Sequence, residues 1–333
     1  MWASYRSWLV GCGQGTHLPC SGRTHNRQGP SVAGDGGTEM IHPLTKKIWV
    51  VEGGKNGRYP YAHSLYIADG GGCLVDAGSD PDEIERLRKE NGIAAVVMTH
   101  YHEDHFTYLS RLPDTPVWAS VADAPALESL ATLLAWYGVL GNEWDAFYRK
   151  LFAEKFPFAP RKIARRIADG EELRFGNTRA IAVVAPGHTP GHLCLHFPDD
   201  GILFLGDYDL TEFGPWYGDA PCGIDAFRRS ARRLAGIAAD RYAVSHEGPV
   251  HRGPIAEKMQ AYLSVIDRRE ESLREFLREP RTRAEIIARR LIYGPDRDGP
   301  WFDYGEWALL SKHLEAMLAR GETSFRDGAY LLT

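Results

Sequence analysis

Short apolar runs separated by turn-forming residues predict strands in the middle of the chain. Ile48–Val51, Cys73–Asp76 and Val96–Met98 are runs of this kind. Before the third run, Asp80 precedes a proline and two acidic residues, which is typical of a helix N-terminus; we expect this helix to continue through Lys89. A strand, a helix and a strand in this order predict a βαβ step and an α/β layered fold.

A helical block interrupts the strands at about residues 124–168. Apolar residues recur there at spacings of three and four, which places them on one face of a helix. These residues are Trp144, Phe147, Tyr148, Leu151 and Phe152. Two interpretations stay open. The face packs into the core, or the block forms a lid whose aromatic residues, including Trp136 and Tyr137, line an apolar substrate pocket.

Beyond residue 254 the pattern becomes helical. Residues 255–278 carry apolar residues on one face, and Thr282 to Glu285 read as a capping box that opens a second helix. A third helix is predicted at Glu306–Arg320. We therefore expect a small C-terminal helical domain at 255–333, after a catalytic domain at 40–254.

Residues 1–39 differ from the rest of the chain because they are rich in Gly, Ser and Arg and lack a periodic apolar pattern. The segment that ends at Cys12 resembles a lipoprotein box, but the apolar stretch before it is too short for a signal peptide. The favoured interpretation is a disordered tail, or upstream sequence read from a misplaced start, with Met40 as the true start.

Composition narrows the function classes only modestly. The 333 residues are 44% hydrophobic and 25% charged, as in an ordinary globular protein, and the net charge of −5 does not indicate a polyanion partner. The five cysteines are scattered and imply no disulfide framework. No apolar run is long enough to span a membrane, so we expect a cytoplasmic protein. The oligomeric state is left open.

Metal-ligating side chains are concentrated where predicted strands end. The Val96–Met98 run leads directly to His100 and His102, whose period of two directs both imidazoles to the same side of a strand. Asp104 and His105 follow at once, so four groups that could bind a metal lie within six residues. Imidazole and carboxylate groups suit zinc, iron or manganese. The sequence therefore predicts a metal centre.

The motifs that contain these residues resemble those of metallo-β-lactamase-fold hydrolases. Residues 99–105 match the family's HxHxDH motif, residues 186–192 match PGHTPGH, and Gly206-Asp207 and Ser245-His246 match the remaining positions. The resemblance covers roughly residues 48–252. It implies an αββα sandwich of two mixed sheets flanked by helices, with the metals at one edge.

The resemblance also implies a ligand assignment. One metal would be held by His100, His102 and His188, and the other by Asp104, His105 and His246, with Asp207 as the bridge. We expect two divalent ions, with zinc favoured over iron or manganese, that share a bridging hydroxide. Asp104 and Tyr208 are the predicted catalytic residues, although Tyr208 could instead pack in the core. Asp76 resembles the family's aspartate that orients ligand histidines.

Several substrates stay open. This chain has Asp207, not a cysteine, at the bridging position, and Asp104 completes the second site, whereas the best-known β-lactamase subclass uses a cysteine there. The chain is therefore more similar to glyoxalase-II-like thioesterases, acyl-homoserine lactonases and nucleases. The leading hypothesis is hydrolysis of an ester, thioester or lactone of a small molecule. The first alternative is a phosphodiesterase or endoribonuclease with a winged-helix-like appendage; residues 255–333 have 13 Lys plus Arg and 14 Asp plus Glu, which does not favour RNA. Further alternatives are a mononuclear-iron persulfide dioxygenase and a non-catalytic binding module.

Overall fold

Two facing sheets form the centre of the molecule. The structure, a computed structural model, describes residues 40–333, so the predicted tail and the motif at Cys12 lie outside the described residues. The first sheet contains β1 (Ile41–Pro43), β2 (Ile48–Val51), β3 (Ser64–Ile67), β4 (Cys73–Val75), β5 (Ala95–Met98), β6 (Val117–Ser120) and β7 (Ile163–Ile167), side by side in that order. Strands β1 to β4 pair antiparallel, and β4 to β7 pair parallel.

The second sheet is also mixed. It contains β8 (Glu172–Phe175), β9 (Thr178–Val184), β10 (Leu193–Phe197), β11 (Ile202–Phe204), β12 (Arg241–Ala243) and β13 (Val250–Arg252). Their spatial order runs from β13 back to β8, and only β11 and β12 pair parallel. Strands β10 and β11 pair antiparallel and form a hairpin.

Helices cover both outer faces of the two sheets. They are α1 (Pro81–Glu90), α2 (Glu103–Phe106), α3 (Ala124–Glu128), α4 (Leu130–Trp136), α5 (Asp145–Glu154), α6 (Ile224–Ala235), α7 (Ala256–Phe276), α8 (Arg283–Arg289) and α9 (Pro300–Ala319). Along β5, Ala95 and Val97 face the second sheet, whereas Val96 and Met98 face the helices. This alternation is the period-two pattern of a strand packed on both sides. The predicted αββα sandwich is thus confirmed.

The helix signals in the sequence correspond to real caps. Asp80 Oδ1 accepts hydrogen bonds from the backbone N–H groups of Asp82 and Glu83 at the start of α1. The Thr282 hydroxyl accepts from the backbone N–H of Glu285, whose carboxylate in turn accepts from the Thr282 N–H, so the predicted capping box opens α8. Among residues 40–333, no helix has both the length and the apolar character that crossing a membrane requires.

Two stretches differ from the prediction. The end of the expected helical block, Ile163–Ile167, is strand β7. The C-terminal region contains three strands as well as helices: β14 (Arg281–Thr282), β15 (Thr323–Arg326) and β16 (Ala329–Leu332).

Helix α9 lies inside the protein rather than on its surface. Ten of its residues are buried, including Lys312 and His313, and they cover most of its circumference, while Glu315, Leu318 and Ala319 near its end are exposed. A helix with so wide a buried face is mainly a core element. The Tyr304 hydroxyl of α9 donates to the Tyr137 carbonyl of the helical block, and Leu309 packs with residues of α6 and α7. The C-terminal helices are therefore tightly packed against the sandwich.

Candidate metal centre

The candidate ligands converge at one edge of the sandwich because each follows the end of a strand. His100, His102, Asp104 and His105 come directly after β5, and Asp207 comes after β11. His188 and His246 follow β9 and β12 in the same way. All seven side chains are buried.

The seven side chains form two groups that meet at Asp207. The first group comprises His100, His102, His188 and Asp207, and the second comprises Asp104, His105 and His246. Asp207 Oδ2 lies 3.4 Å from His188 Nε2, while Asp207 Oδ1 lies 3.1 Å from His105 Nε2. One carboxylate thus faces both groups, the position in which it could bridge two cations.

Hydrogen bonds outside the cluster orient all five histidines. Each imidazole uses one ring nitrogen as a donor to an outer acceptor, which leaves the lone pair of its other nitrogen facing the cluster. The pairs are His100 Nδ1 with Thr99 Oγ1 (2.9 Å), His102 Nε2 with Asp219 Oδ2 (2.9 Å), His105 Nδ1 with Asp76 Oδ2 (2.8 Å), His188 Nδ1 with the Trp216 carbonyl (3.1 Å) and His246 Nδ1 with the Gly57 carbonyl (2.7 Å).

The lone pairs that face the cluster are arranged to bind cations. His100 Nε2 and His188 Nε2 face each other at 3.1 Å, although the outer bonds leave neither a proton to share. His105 Nε2 and Asp207 Oδ1 are buried only 3.1 Å apart, yet they make no hydrogen bond with each other or with another described residue, and His105 already uses Nδ1 for its bond to Asp76. Two opposed lone pairs and two orphaned buried atoms are unfavourable unless a positive ion lies between them. The residues present therefore fit divalent metals.

The electrostatics of the cluster agree with this interpretation. Burial lowers the pKa values of His100 and His188 well below the usual value, which keeps both imidazoles in the neutral ligand form. Burial alone would also lower the pKa of His246, but the carboxylates of Asp207 and Asp104 outweigh it and raise that pKa to about 10. The carboxylates thus demand positive charge, which metal ions would supply in place of protons.

Asp76 supports the cluster from a strained backbone position. Its φ of +61° lies in the left-handed region. In that conformation its carboxylate accepts from the Thr99 N–H, the Thr99 hydroxyl and His105 Nδ1, at 2.7 to 2.8 Å. It therefore orients one ligand directly and His100 through Thr99, as predicted.

The backbone at Gly206 and Asp207 packs closely against the His192 ring. Its N–H donates to His192 Nε2 at 3.1 Å, so His192 is a structural partner and not a ligand. Gly206 has a φ of +60°, and a Cβ there would lie 2.6 Å from His192 Nε2. Only glycine allows this close approach.

Tyr208 does not take part in the cluster. Its hydroxyl lies 3.1 Å from the Ala185 carbonyl and 3.2 Å from the Pro186 carbonyl, and its ring stacks on Phe227. These contacts assign Tyr208 to core packing and correct the catalytic role expected from the sequence. The residue adjoins Asp207 in sequence, but its side chain lies in the apolar cluster that contains Phe227 and Tyr217.

Sequence reasoning missed two carboxylates beside the ligands. Glu103, between His102 and Asp104, accepts hydrogen bonds from the hydroxyls of Tyr59 (2.9 Å) and Tyr137. Asp219, in the loop before α6, accepts from His102. The sequence does indicate a role for Glu103, because a charged residue between two candidate ligands of a buried site needs hydrogen-bond partners of its own. No comparable pattern surrounds Asp219.

The aromatic residues of the helical block divide into two sets. Tyr137, Trp144 and Tyr148 are buried in the same apolar cluster as Tyr304 of α9, which favours the packing interpretation for them. Trp136 is only half-buried, and its ring lies 5.4 Å from that of Tyr101, next to His102. A lining role therefore stays open for Trp136.

Comparison with known proteins identifies the family. The model of the metallo-beta-lactamase superfamily matches residues 59–246, and the chain belongs to that superfamily. It carries the ligand set of a metal-dependent hydrolase.

Relatives and solved structures agree with this assignment. An uncharacterized protein of Aquifex aeolicus is 24% identical over 170 residues, which are 50% of this chain and 72% of that protein. A hydroxyacylglutathione hydrolase of Cereibacter sphaeroides is 27% identical over 141 residues, 42% of this chain; the match spans only 44% of that relative's length. A beta-lactamase domain protein from Burkholderia ambifaria has a TM-score of 0.66 at 20% identity, over 88% of this chain and 93% of its own. A Thermus thermophilus metallo-beta-lactamase family protein has a TM-score of 0.67 at 19% identity, over 87% and 100%. These two show the shared fold.

Proposed function

We propose that the protein is a dinuclear metal-dependent hydrolase that cleaves a thioester or a related ester or lactone. The observation that carries this proposal is the convergence of two ligand groups on Asp207. Both groups are complete, which favours two metals over the single iron of a persulfide dioxygenase. The similarity to hydroxyacylglutathione hydrolases favours a thioester among the acyl substrates.

Two divalent ions, when bound, would lower the pKa of a shared water and stabilise negative charge that develops on a carbonyl oxygen. His100, His102 and His188 would hold one ion, and Asp104, His105 and His246 the other. Asp207 would bridge them. Asp104 would also accept a proton from the attacking water, because it is the second carboxylate in the cluster and belongs to only one group.

The protein thiols near the site do not compete with water as the nucleophile. Cys222 donates its S–H to the His188 carbonyl at 3.3 Å, and burial raises its pKa well above the usual value. Burial raises the pKa of Cys194 in the same sense. Both therefore stay as unreactive thiols near neutral pH.

Nucleic-acid hydrolysis is less well supported. In helix-turn-helix proteins the second helix of the motif reads the major groove, and α9 occupies that position after α8. Here half of the residues of α9 are buried, and Lys312 donates to the Ala220 carbonyl instead of facing outward. A basic, exposed helix would be needed to bind phosphates.

The test compares two substrates with zinc-loaded protein. We expect cleavage of a hydroxyacyl thioester of glutathione and little cleavage of an activated phosphodiester. Asp207→Ala protein serves as the control for contaminating hydrolases. Selective cleavage of the phosphodiester would overturn the acyl-hydrolase proposal, and full activity in the metal-free protein would overturn metal dependence.

A further inference from the structure

The first ligand group depends on a loop that contributes no ligand of its own. Residues 208–223, here called the Asp219 loop, connect Asp207 to α6. The Trp216 carbonyl accepts from His188 Nδ1, and Asp219 accepts from His102 Nε2. Two of the three histidines in the first group therefore take their orientation from this loop.

Asp219 is the centre of a closed hydrogen-bond network. Its side chain is fully buried. Oδ2 accepts from the Tyr101 hydroxyl at 2.5 Å and from His102 Nε2 at 2.9 Å, while Oδ1 accepts from Trp216 Nε1 at 3.0 Å. No Lys or Arg among residues 40–333 forms an ion pair with it. A buried carboxylate without a cationic partner is costly, unless the imidazole it contacts is itself bound to positive charge.

The C-terminal helices fix the loop from the other side. Arg269 of α7 donates to the carbonyls of Pro215 (2.5 Å) and Phe213 (2.7 Å), and Lys312 of α9 donates to that of Ala220 (3.1 Å). The Tyr217 hydroxyl lies 2.8 Å from His313 Nε2 on α9.

The fit between loop and helix is close. A Cβ on Gly218 would lie 2.9 Å from the Ala308 Cβ atom. Contacts from α7 and α9 therefore bracket Asp219, from Phe213 to Ala220, and leave the loop little freedom.

We propose that Asp219 is a positioning residue for the first metal site, and that α7 and α9 hold it in place through the Asp219 loop. The inference rests on the two-metal site proposed above. Asp219 fixes the ring of His102 so that Nδ1 faces the cluster, and it increases the basicity of that nitrogen. Among residues 40–333, the outer hydrogen bonds of His105 and His246 in the second group go to Asp76 and the Gly57 carbonyl, not to this loop.

The experiment measures metal binding rather than turnover. Full-length protein is stripped with a chelator and titrated with Zn²⁺ against a chromophoric competitor, and with Co²⁺ to record the absorption spectrum of each site. The variants His188→Ala and His246→Ala provide reference spectra for loss of the first and the second site. Asp225→Ala, which removes an exposed carboxylate at the start of α6, is the matched control.

We expect Asp219→Ala to weaken metal binding at the first site by about 10–100-fold, the usual effect of losing such a partner, and to leave the second site unchanged. Asp219→Asn, which retains one acceptor oxygen, should fall between Asp219→Ala and the wild type. If Asp219→Ala does not fold, as judged by circular dichroism, the isosteric Asn variant carries the test. Wild-type affinity at both sites in the folded variant would overturn the inference, as would an equal loss at both.

A second pair of variants tests the role of the helices. Arg269→Ala should weaken the first site in the same direction but less, whereas Arg268→Ala, the exposed neighbour that contacts Ser264, should have no effect. If Arg269→Ala and Arg268→Ala bind metal equally well, the proposed role of the helices in holding the loop is wrong. If the wild type does not bind two ions, the proposed function fails instead, and that result is distinguishable from the others.

Discussion

The two ligand groups of the centre share a carboxylate but differ in what supports them. The second group is oriented by Asp76 and by the Gly57 carbonyl, both within the sandwich. The first group is oriented in part by the Asp219 loop, which the C-terminal helices hold. The comparison shows that the two halves of one ligand set can be supported by different parts of the chain. The second group is supported within the sandwich, whereas the first group also contacts a loop that the C-terminal helices hold.

We expect the largest effect when Asp207, the carboxylate that both ligand groups share, is replaced. Asp207→Ala should release both metals and lower the hydrolysis rate by at least about a thousandfold, because groups that act as a unit fail together. Metal content by atomic emission and turnover of the glutathione thioester are the measurements. Retention of two ions per chain would contradict the bridging assignment.

The next variant, at Asp76, should act mainly on the second ligand group, whereas Asp219 supports the first. Asp76→Asn keeps the left-handed backbone conformation, which asparagine tolerates, but its amide nitrogen cannot accept the proton of His105 Nδ1. We expect the affinity of the second site to fall about 10–100-fold, with a smaller loss at the first site because Asp76 reaches His100 only through Thr99. The Zn²⁺ titration described above checks this, and a loss confined to the first site would reverse the comparison.

A smaller effect, on the stability of the protein, is expected at Glu103, the residue between His102 and Asp104. Glu103→Gln leaves one of its two tyrosine partners without an acceptor, so we expect a loss of about 1–3 kcal/mol in the free energy of unfolding. Urea denaturation of the metal-free protein measures it. Glu154→Gln, at an exposed site on α5, is the control and should change stability by less than about 0.5 kcal/mol.

The smallest expected effect tests the corrected assignment of Tyr208. Tyr208→Phe should retain the stacking on Phe227, lose about 1 kcal/mol of stability with the hydrogen bond, and leave turnover within about threefold of the wild type. A drop in turnover of a hundredfold with unchanged stability would restore the catalytic role predicted from the sequence.

The sequence predicted the parts of the site in which local pattern and chemistry coincide. His100 and His102 alternate directly after an apolar run, and the other candidate ligands also follow strands, so their convergence could be anticipated. Asp76 ends its strand in the same manner. In each case the strand determines where the side chain lies, and strands are readable from short apolar runs.

Asp219 could not be found in this way, because its partners come from distant parts of the chain and its loop has no periodic pattern. Strand β7 was missed for a related reason: only Ile163 and Ile167 at its ends are buried, and the residues between them are polar or exposed. The β15–β16 hairpin did carry a signal. Asp327-Gly328, both with positive φ, is the dipeptide typical of a tight hairpin turn.

The burial of α9 has a consequence for the order in which the protein is made. During synthesis the sandwich, Asp76 and every candidate ligand leave the ribosome before residues 300–319 do. A nascent chain that ends before α9 has the supports of the second site, but its Asp219 loop lacks the contacts of Lys312, His313 and Ala308. We therefore expect metal loading to be sequential, with the second site competent first and the first site completed only when the last helix docks.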